Sequence, residues 1–81
     1  MAGELTAKGR VVGLKQTRRV VLQGSAEQVY LACDADPGLT EPLLALCRQY
    51  GVKADCSLTM QQLGRACGIA VPASAVAVMA P

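Results

Sequence analysis

Three cations crowded into five residues, Lys15, Arg18 and Arg19, are the side chains of this 81-residue chain whose type and spacing most clearly suggest chemistry. They suit a polyanion, because Lys and Arg donate several charge-assisted hydrogen bonds and accept none. Two other sets could do chemistry. Cys33, Cys47, Cys56 and Cys67 could bind metal or exchange disulfides, but no two form a Cys-x-x-Cys pair and the chain has no His. A zinc site would then need all four thiolates at spacings unlike a zinc-binding pattern, so four small buried hydrophobes in a reducing compartment are expected instead, with no metal and no cofactor. Asp34 and Asp36 could serve as an acid-base pair, but beside Pro37 and Gly38 they are better explained as turn and cap residues. With no His and no Gly-rich nucleotide loop, an enzyme is not expected and no catalytic residue is assigned.

The cations are segregated. Residues 1–19 hold five bases against Glu4 alone, a net of +4, whereas residues 20–81 hold three bases against five acids, a net of −2. Lys15, Arg18 and Arg19 also fall in the first turns of a predicted helix, whose N-terminal end already carries partial positive charge. Lys15 faces Arg18 and Arg19 at i+3 and i+4, a like-charge arrangement that costs on the order of a few tenths of a kcal/mol per pair. Local physics would place acids there. The cost is explained if the helix end is held for an anion, with the free N–H groups of the first turn adding donors for phosphate. The plainer explanation is a solvated basic face, and the charges alone do not separate the two.

The elements that must position these residues alternate in kind, which predicts an α/β domain with a mixed or parallel sheet. A short strand is expected over Arg10–Gly13, then a helix over Leu14–Gln23 with Gly24 in a left-handed cap, and a second strand over Gln28–Cys33. Leu39, Leu43, Leu46, Cys47 and Tyr50 form one apolar stripe of a helix ended by Gly51. Pro42 is expected only in its first turn, leaving the start open between Pro37 and Glu41. A third strand follows over Lys53–Cys56. Thr59 and Gln62 have capping-box spacing before a helix with Met60, Leu63 and Cys67 on its apolar face, stopped at Gly68. After a loop over Ile69–Ser74, Ala75–Met79 reads as the last strand. At 52% apolar residues, with two Tyr and no Phe or Trp, the core must be aliphatic. Aromatic-platform RNA binding is unsupported, and Tyr30 is expected in the core. No repeat, leader or membrane-spanning stretch is evident, so a cytoplasmic protein of one domain, residues 1–81, is expected.

Three segments, in order, match a known pattern. Gly13-Leu14-Lys15-Gln16-Thr17 followed by Arg19, then Val29-Tyr30-Leu31-Ala32 running into Asp34-Ala35-Asp36-Pro37, then Leu63-Gly64-Arg65-Ala66-Cys67-Gly68-Ile69 closely resemble the ribosomal L-seven-Ae and L-thirty-e superfamily, and its small bacterial members above all. The likeness covers nearly the whole chain. It implies a three-layer α/β/α sandwich with a central four-stranded mixed sheet in a single domain. It also implies binding of the kink-turn, an RNA bend built around tandem sheared G·A pairs, as in ribosomal and other ribonucleoprotein particles.

The resemblance assigns Gly13, Lys15, Gln16, Thr17 and Arg19 to the RNA-binding motif, with Lys15, Gln16 and Arg19 reading guanine edges in the widened groove of the bent RNA. It assigns Gly68, Ile69, Ala70 and Val71 to a loop that packs on an extruded nucleotide, with Arg65 near a phosphate. Many relatives carry an acid where this chain has Ala70, which removes an acceptor for the flipped base. Without the resemblance, Ile69 and Val71 read equally well as ordinary loop packing. The implied partner is a structured RNA, ribosomal or other non-coding, bound by a monomer. The competing reading is a protein-interaction module of a ribonucleoprotein assembly, because a fold alone fixes no function.

Overall fold

The computed structural model describes residues 9–80; Glu4 and Lys8, which contribute to the charge of the basic segment, lie outside the described residues. Seven elements alternate along the chain: β1 (Arg10–Val12), α1 (Leu14–Leu22), β2 (Ala26–Leu31), α2 (Pro37–Gln49), β3 (Lys53–Asp55), α3 (Met60–Ala66) and β4 (Ala75–Met79). The strands form one sheet in the order β1-β4-β2-β3. β2 and β3 run parallel, joined by the α2 crossover, while β4 is antiparallel to both β1 and β2.

Because successive strand residues point to opposite faces, the two central strands sort the core into two layers. Val29 and Leu31 of β2 and Ala75 and Ala77 of β4 pack with Val20 and Val21 of α1 and Leu43 and Cys47 of α2. Tyr30, Ala32, Val76 and Val78 face the other way, onto Leu63 and Cys67 of the α3 side. The result is the α/β/α sandwich that the resemblance implied, two helices on one face and one on the other. Small Ala residues in β4 let helices approach closely, so an aliphatic core without Phe or Trp suffices.

Several boundaries depart from expectation for identifiable reasons. β2 begins and ends two residues early: Ala26 pairs with Met79 across an irregularity before Gln28. Beyond Leu31 the backbone bonds go to loops, Ala32 N–H to the Ser74 carbonyl and Cys33 N–H to the Leu58 carbonyl. α2 starts at Pro37 because the Asp36 side chain accepts the Gly38 N–H at 2.9 Å, an N-cap with proline at the first helical position. Pro42 is therefore the sixth helical residue and not in the first turn, and it cannot donate to the Gly38 carbonyl. The helix continues past it because Leu43 and Cys47 are anchored in the core. The stripe is also shorter than expected: Leu39 is 54% and Tyr50 44% exposed. Of the cysteines, Cys47 and Cys67 are buried but Cys33 and Cys56, just beyond β2 and β3, are exposed, and all four are free thiols.

Candidate nucleic-acid interface

β1 hands the chain to α1 through Gly13, whose φ of 112° lies in the region that an L side chain rarely adopts. The Gly13 N–H donates to the Ala75 carbonyl at 2.8 Å, and its carbonyl accepts the Thr17 N–H at 3.0 Å to start the helix. Gln16 folds back over this turn, so a Cβ at position 13 would stand 3.1 Å from Gln16 Oε1. No side chain caps α1 and no acid stands in its first turn, so the amides there point outward without an intrahelical partner. Thr17, Val20 and Val21 bury one face of the helix, and Lys15, Gln16, Arg18 and Arg19 are exposed. Among the described residues no carboxylate pairs with Lys15, Arg18 or Arg19. The structure thus gathers Gly13, Lys15 and Gln16 at the uncapped start of α1, with Arg18 following on the exposed face; because the helix ends at Leu22, Arg19 falls in its last turn and not in the first turns as expected. Thr17 does not belong to that surface: it is fully buried, and its Oγ1 finds no hydrogen-bond partner among the described residues.

The second half is built on α3. Thr59 Oγ1 accepts the Gln62 N–H at 3.2 Å while Gln62 Oε1 accepts the Thr59 N–H at 3.0 Å, the reciprocal box anticipated from their spacing. Gly68, at φ 74°, turns the chain off the helix. The loop then lies back along α3: the Ile69 N–H donates to the Gly64 carbonyl at 3.1 Å and the Ala73 N–H to the Met60 carbonyl at 3.0 Å. Gly64 permits this, because a Cβ there would run into the Val71 carbonyl and stand 3.3 Å from Pro72 Cα. Ile69 packs partly into the α3-side core, whereas Ala70 and Arg65 are exposed and Val71 is 62% exposed. Between them opens a cavity of about 430 Å³ whose walls include Asp34, Arg65, Ile69, Ala70, Val71 and Pro72.

Both halves stand at the same end of the sheet. The loop leads within four residues from Val71 into Ala75, whose carbonyl holds the Gly13 N–H. The residue that sequence reasoning missed is Asp34, read as a turn former. Its Oδ1 accepts the Met60 N–H at 2.7 Å, and it brings a carboxylate to the cavity where Ala70 offers none. Nothing local could have revealed a contact spanning 26 residues. Elsewhere, burial first and the neighbouring Cys56 second push the Cys47 thiol above its ordinary range. Hydrogen bonds from the Ser57 side chain and backbone hold the Asp55 carboxyl below its own. Among the described residues no group of three or more His, Cys, Asp or Glu could hold a metal ion, and no helix is long and apolar enough to cross a membrane.

Known proteins resemble this chain in sequence and in fold. An RNA-binding protein of Bacillus pumilus is 40% identical over 73 residues, 90% of this chain and 89% of that one. Another RNA-binding protein, from Caldanaerobacter subterraneus, is 43% identical over 68 residues, 84% of this chain and 83% of that one. Among solved structures, a 15.5kD RNA binding protein of Giardia lamblia superposes with a TM-score of 0.89 at 27% identity, covering 99% of this chain and 68% of that one. The model of the ribosomal protein L7Ae/L30e/S12e/Gadd45 family matches residues 4–81, and with the uncapped basic helix end and the loop folded onto α3 in place, the chain belongs to that family.

Proposed function

We propose that this protein binds structured RNA and, more specifically, recognises and stabilises the kink-turn. The observation that carries the reading is the pairing, at one end of the sheet, of an uncapped basic helix, whose exposed cations have no carboxylate partner among the described residues, with an exposed apolar loop beside a cavity. Lys15, Gln16 and Arg19 present donors and an acceptor to guanine edges, and the α1 amides and Arg65 take phosphates. Ile69, Ala70 and Val71 receive an extruded nucleotide, and Asp34 supplies the acceptor missing at Ala70. Gly13 makes the turn that exposes the helix end, and Thr17 supports it from beneath. RNA binding by this chain is in keeping with the names borne by its relatives from Bacillus and Caldanaerobacter.

The protein, in this reading, holds a shape and catalyses nothing. It acts as a cytoplasmic monomer, without a cofactor, in a ribonucleoprotein. The test is a titration of a kink-turn duplex and of a control with its G·A pairs replaced by Watson–Crick pairs, each at two salt concentrations. Tighter binding of the kink-turn at both is expected; equal affinity would reduce the interaction to charge alone. One feature favours the alternative of a protein-interaction module: a groove between α1 and α2, lined by Leu14, Leu39, Pro42, Leu43 and Leu46 together with Lys15 and Arg18. A protein partner seated there would bind with little dependence on salt, whereas phosphate contacts weaken steeply as salt rises.

A further inference from the structure

We infer that Arg10 is a positioning residue for the apolar loop, an inference that rests on the RNA-binding reading above and names a residue outside both contact surfaces. Arg10 opens the edge strand β1 opposite Val78, and Val12 lies opposite Val76. Val12, Val76 and Val78 all pack in the α3-side core, so the Arg10 side chain leaves the sheet on the α3 face. Its Nη2 donates to the Cys67 carbonyl at 2.6 Å, closing a contact between residues 57 apart in sequence. Cys67 caps α3, and the next residue, Gly68, is the turn from which the loop departs.

The last carbonyls of a helix have no intrahelical donor, and a guanidinium is well suited to one of them by charge and by geometry. The Nε of Arg10 is buried and has no hydrogen-bond partner among the described residues, and the side chain as a whole is half-buried, directed to the Cys67 carbonyl. Drawing a guanidinium partly out of water is unfavourable unless it is paired, and the Cys67 carbonyl is the partner that the structure supplies. β1 then fixes both halves of the interface. At its far end Gly13 launches α1 with Lys15, Gln16 and Arg19; at its near end Arg10 holds the point where the loop begins. The separation of cations from the apolar loop is set by three residues of strand.

The experiment uses the full chain with Arg10→Met, which keeps the apolar stem and removes the donor, and Arg10→Lys, which keeps one. Each is titrated against a kink-turn RNA and against the same RNA with its extruded nucleotide made abasic, and amide hydrogen exchange is followed across Gly68–Val71 in the free proteins. Loss of a charge-assisted hydrogen bond predicts binding of the intact RNA about tenfold weaker for Arg10→Met. The variant should match the wild type on the abasic RNA, exchange faster at Gly68–Val71, and be partly rescued in Arg10→Lys. Equal losses on both RNAs, or a salt dependence reduced by one phosphate contact, would overturn the inference in favour of global damage or a direct phosphate contact. Unchanged exchange and binding would overturn it as well. Failure of the wild type to tell a kink-turn from its Watson–Crick control would instead overturn the functional reading, and is seen before any variant is compared.

Discussion

At position 15 a helix would ordinarily carry a carboxylate, whereas Arg19 falls in the last turn of α1, where a cation suits the helix dipole. The two repel each other at i+4, and neither has an acid paired to it among the described residues. Removing either one relieves repulsion within α1, so Lys15→Ala or Arg19→Ala should leave thermal stability unchanged or raised while weakening kink-turn binding by roughly 1 to 3 kcal/mol each. Paired melting and binding curves check this; a destabilised variant with intact affinity would show that both cations serve the fold. These residues were legible in the sequence because they violate a local rule. Thr17 shows the opposite. It lies three residues after Leu14 and three before Val20, on the inward phase of the helix, so its burial could be read from periodicity, but the motif around it suggested a surface role. The cysteines were only half legible, since residues just past a strand end look apolar in sequence whether or not a helix covers them. Cys33 and Cys56 should react with a thiol reagent in the native protein, whereas Cys47, whose thiol burial pushes upward, and Cys67 should react only on unfolding. Mass spectrometry after a brief native pulse should find two labels, and four would mean that the helices do not cover their cysteines.

Among the elements, α3 and the loop it supports are coupled by what one residue lacks. An alanine in mid-helix is normally favoured over glycine by about 1 kcal/mol. At position 64 the added Cβ would overlap the Val71 carbonyl, and forcing extra volume into a packed site costs typically about 1 to 3 kcal/mol. The overlap outweighs the propensity, so Gly64→Ala should lower the urea midpoint and displace Ile69–Pro72, weakening RNA binding with every cation intact. A stabilised variant would mean that the loop yields freely. The capping box, the turn glycines and the final strand were readable because each depends on residues within a few positions. The length of α2 was not, since continuation past Pro42 is decided by what Leu43 and Cys47 meet on the sheet. The turn after β3 carries its own signature. Ser57 holds the Asp55 carboxyl below its usual range, so its contribution to stability is present above the ordinary carboxylate pKa and lost as pH falls through the lowered one. Ser57→Ala should flatten that acid limb of the melting temperature; an identical limb in wild type and variant would place the titration elsewhere.

For the whole molecule the small net charge conceals a division of labour between attraction and recognition. Lys15, Arg18 and Arg19 on the exposed face of α1, with Arg65 on α3, give the interface four exposed cations, against which Asp34 is the acid that the cavity contributes. Each phosphate neutralised releases counterions, so phosphate contacts by Arg18 and Arg65 should make log K fall against log salt with a slope of roughly −1.5 to −2. That term does not depend on whether the RNA bends. On the proposed kink-turn reading, the apolar loop and the base-edge contacts are satisfied only by the kinked form, and they respond weakly to salt because they neutralise no phosphate. Kink-turn and Watson–Crick control should therefore lose affinity in parallel as salt is raised, with their ratio nearly constant. Arg18→Ala should lower the slope by about one in both without changing the ratio. Val71→Ser should shrink the ratio without changing either slope, since it removes apolar contact and leaves every cation in place. Binding isotherms at four salt concentrations separate these outcomes. A ratio that collapses at high salt, or an Arg18 variant that alters discrimination, would mean that the bend is recognised by its phosphates and not by its bases and extruded nucleotide.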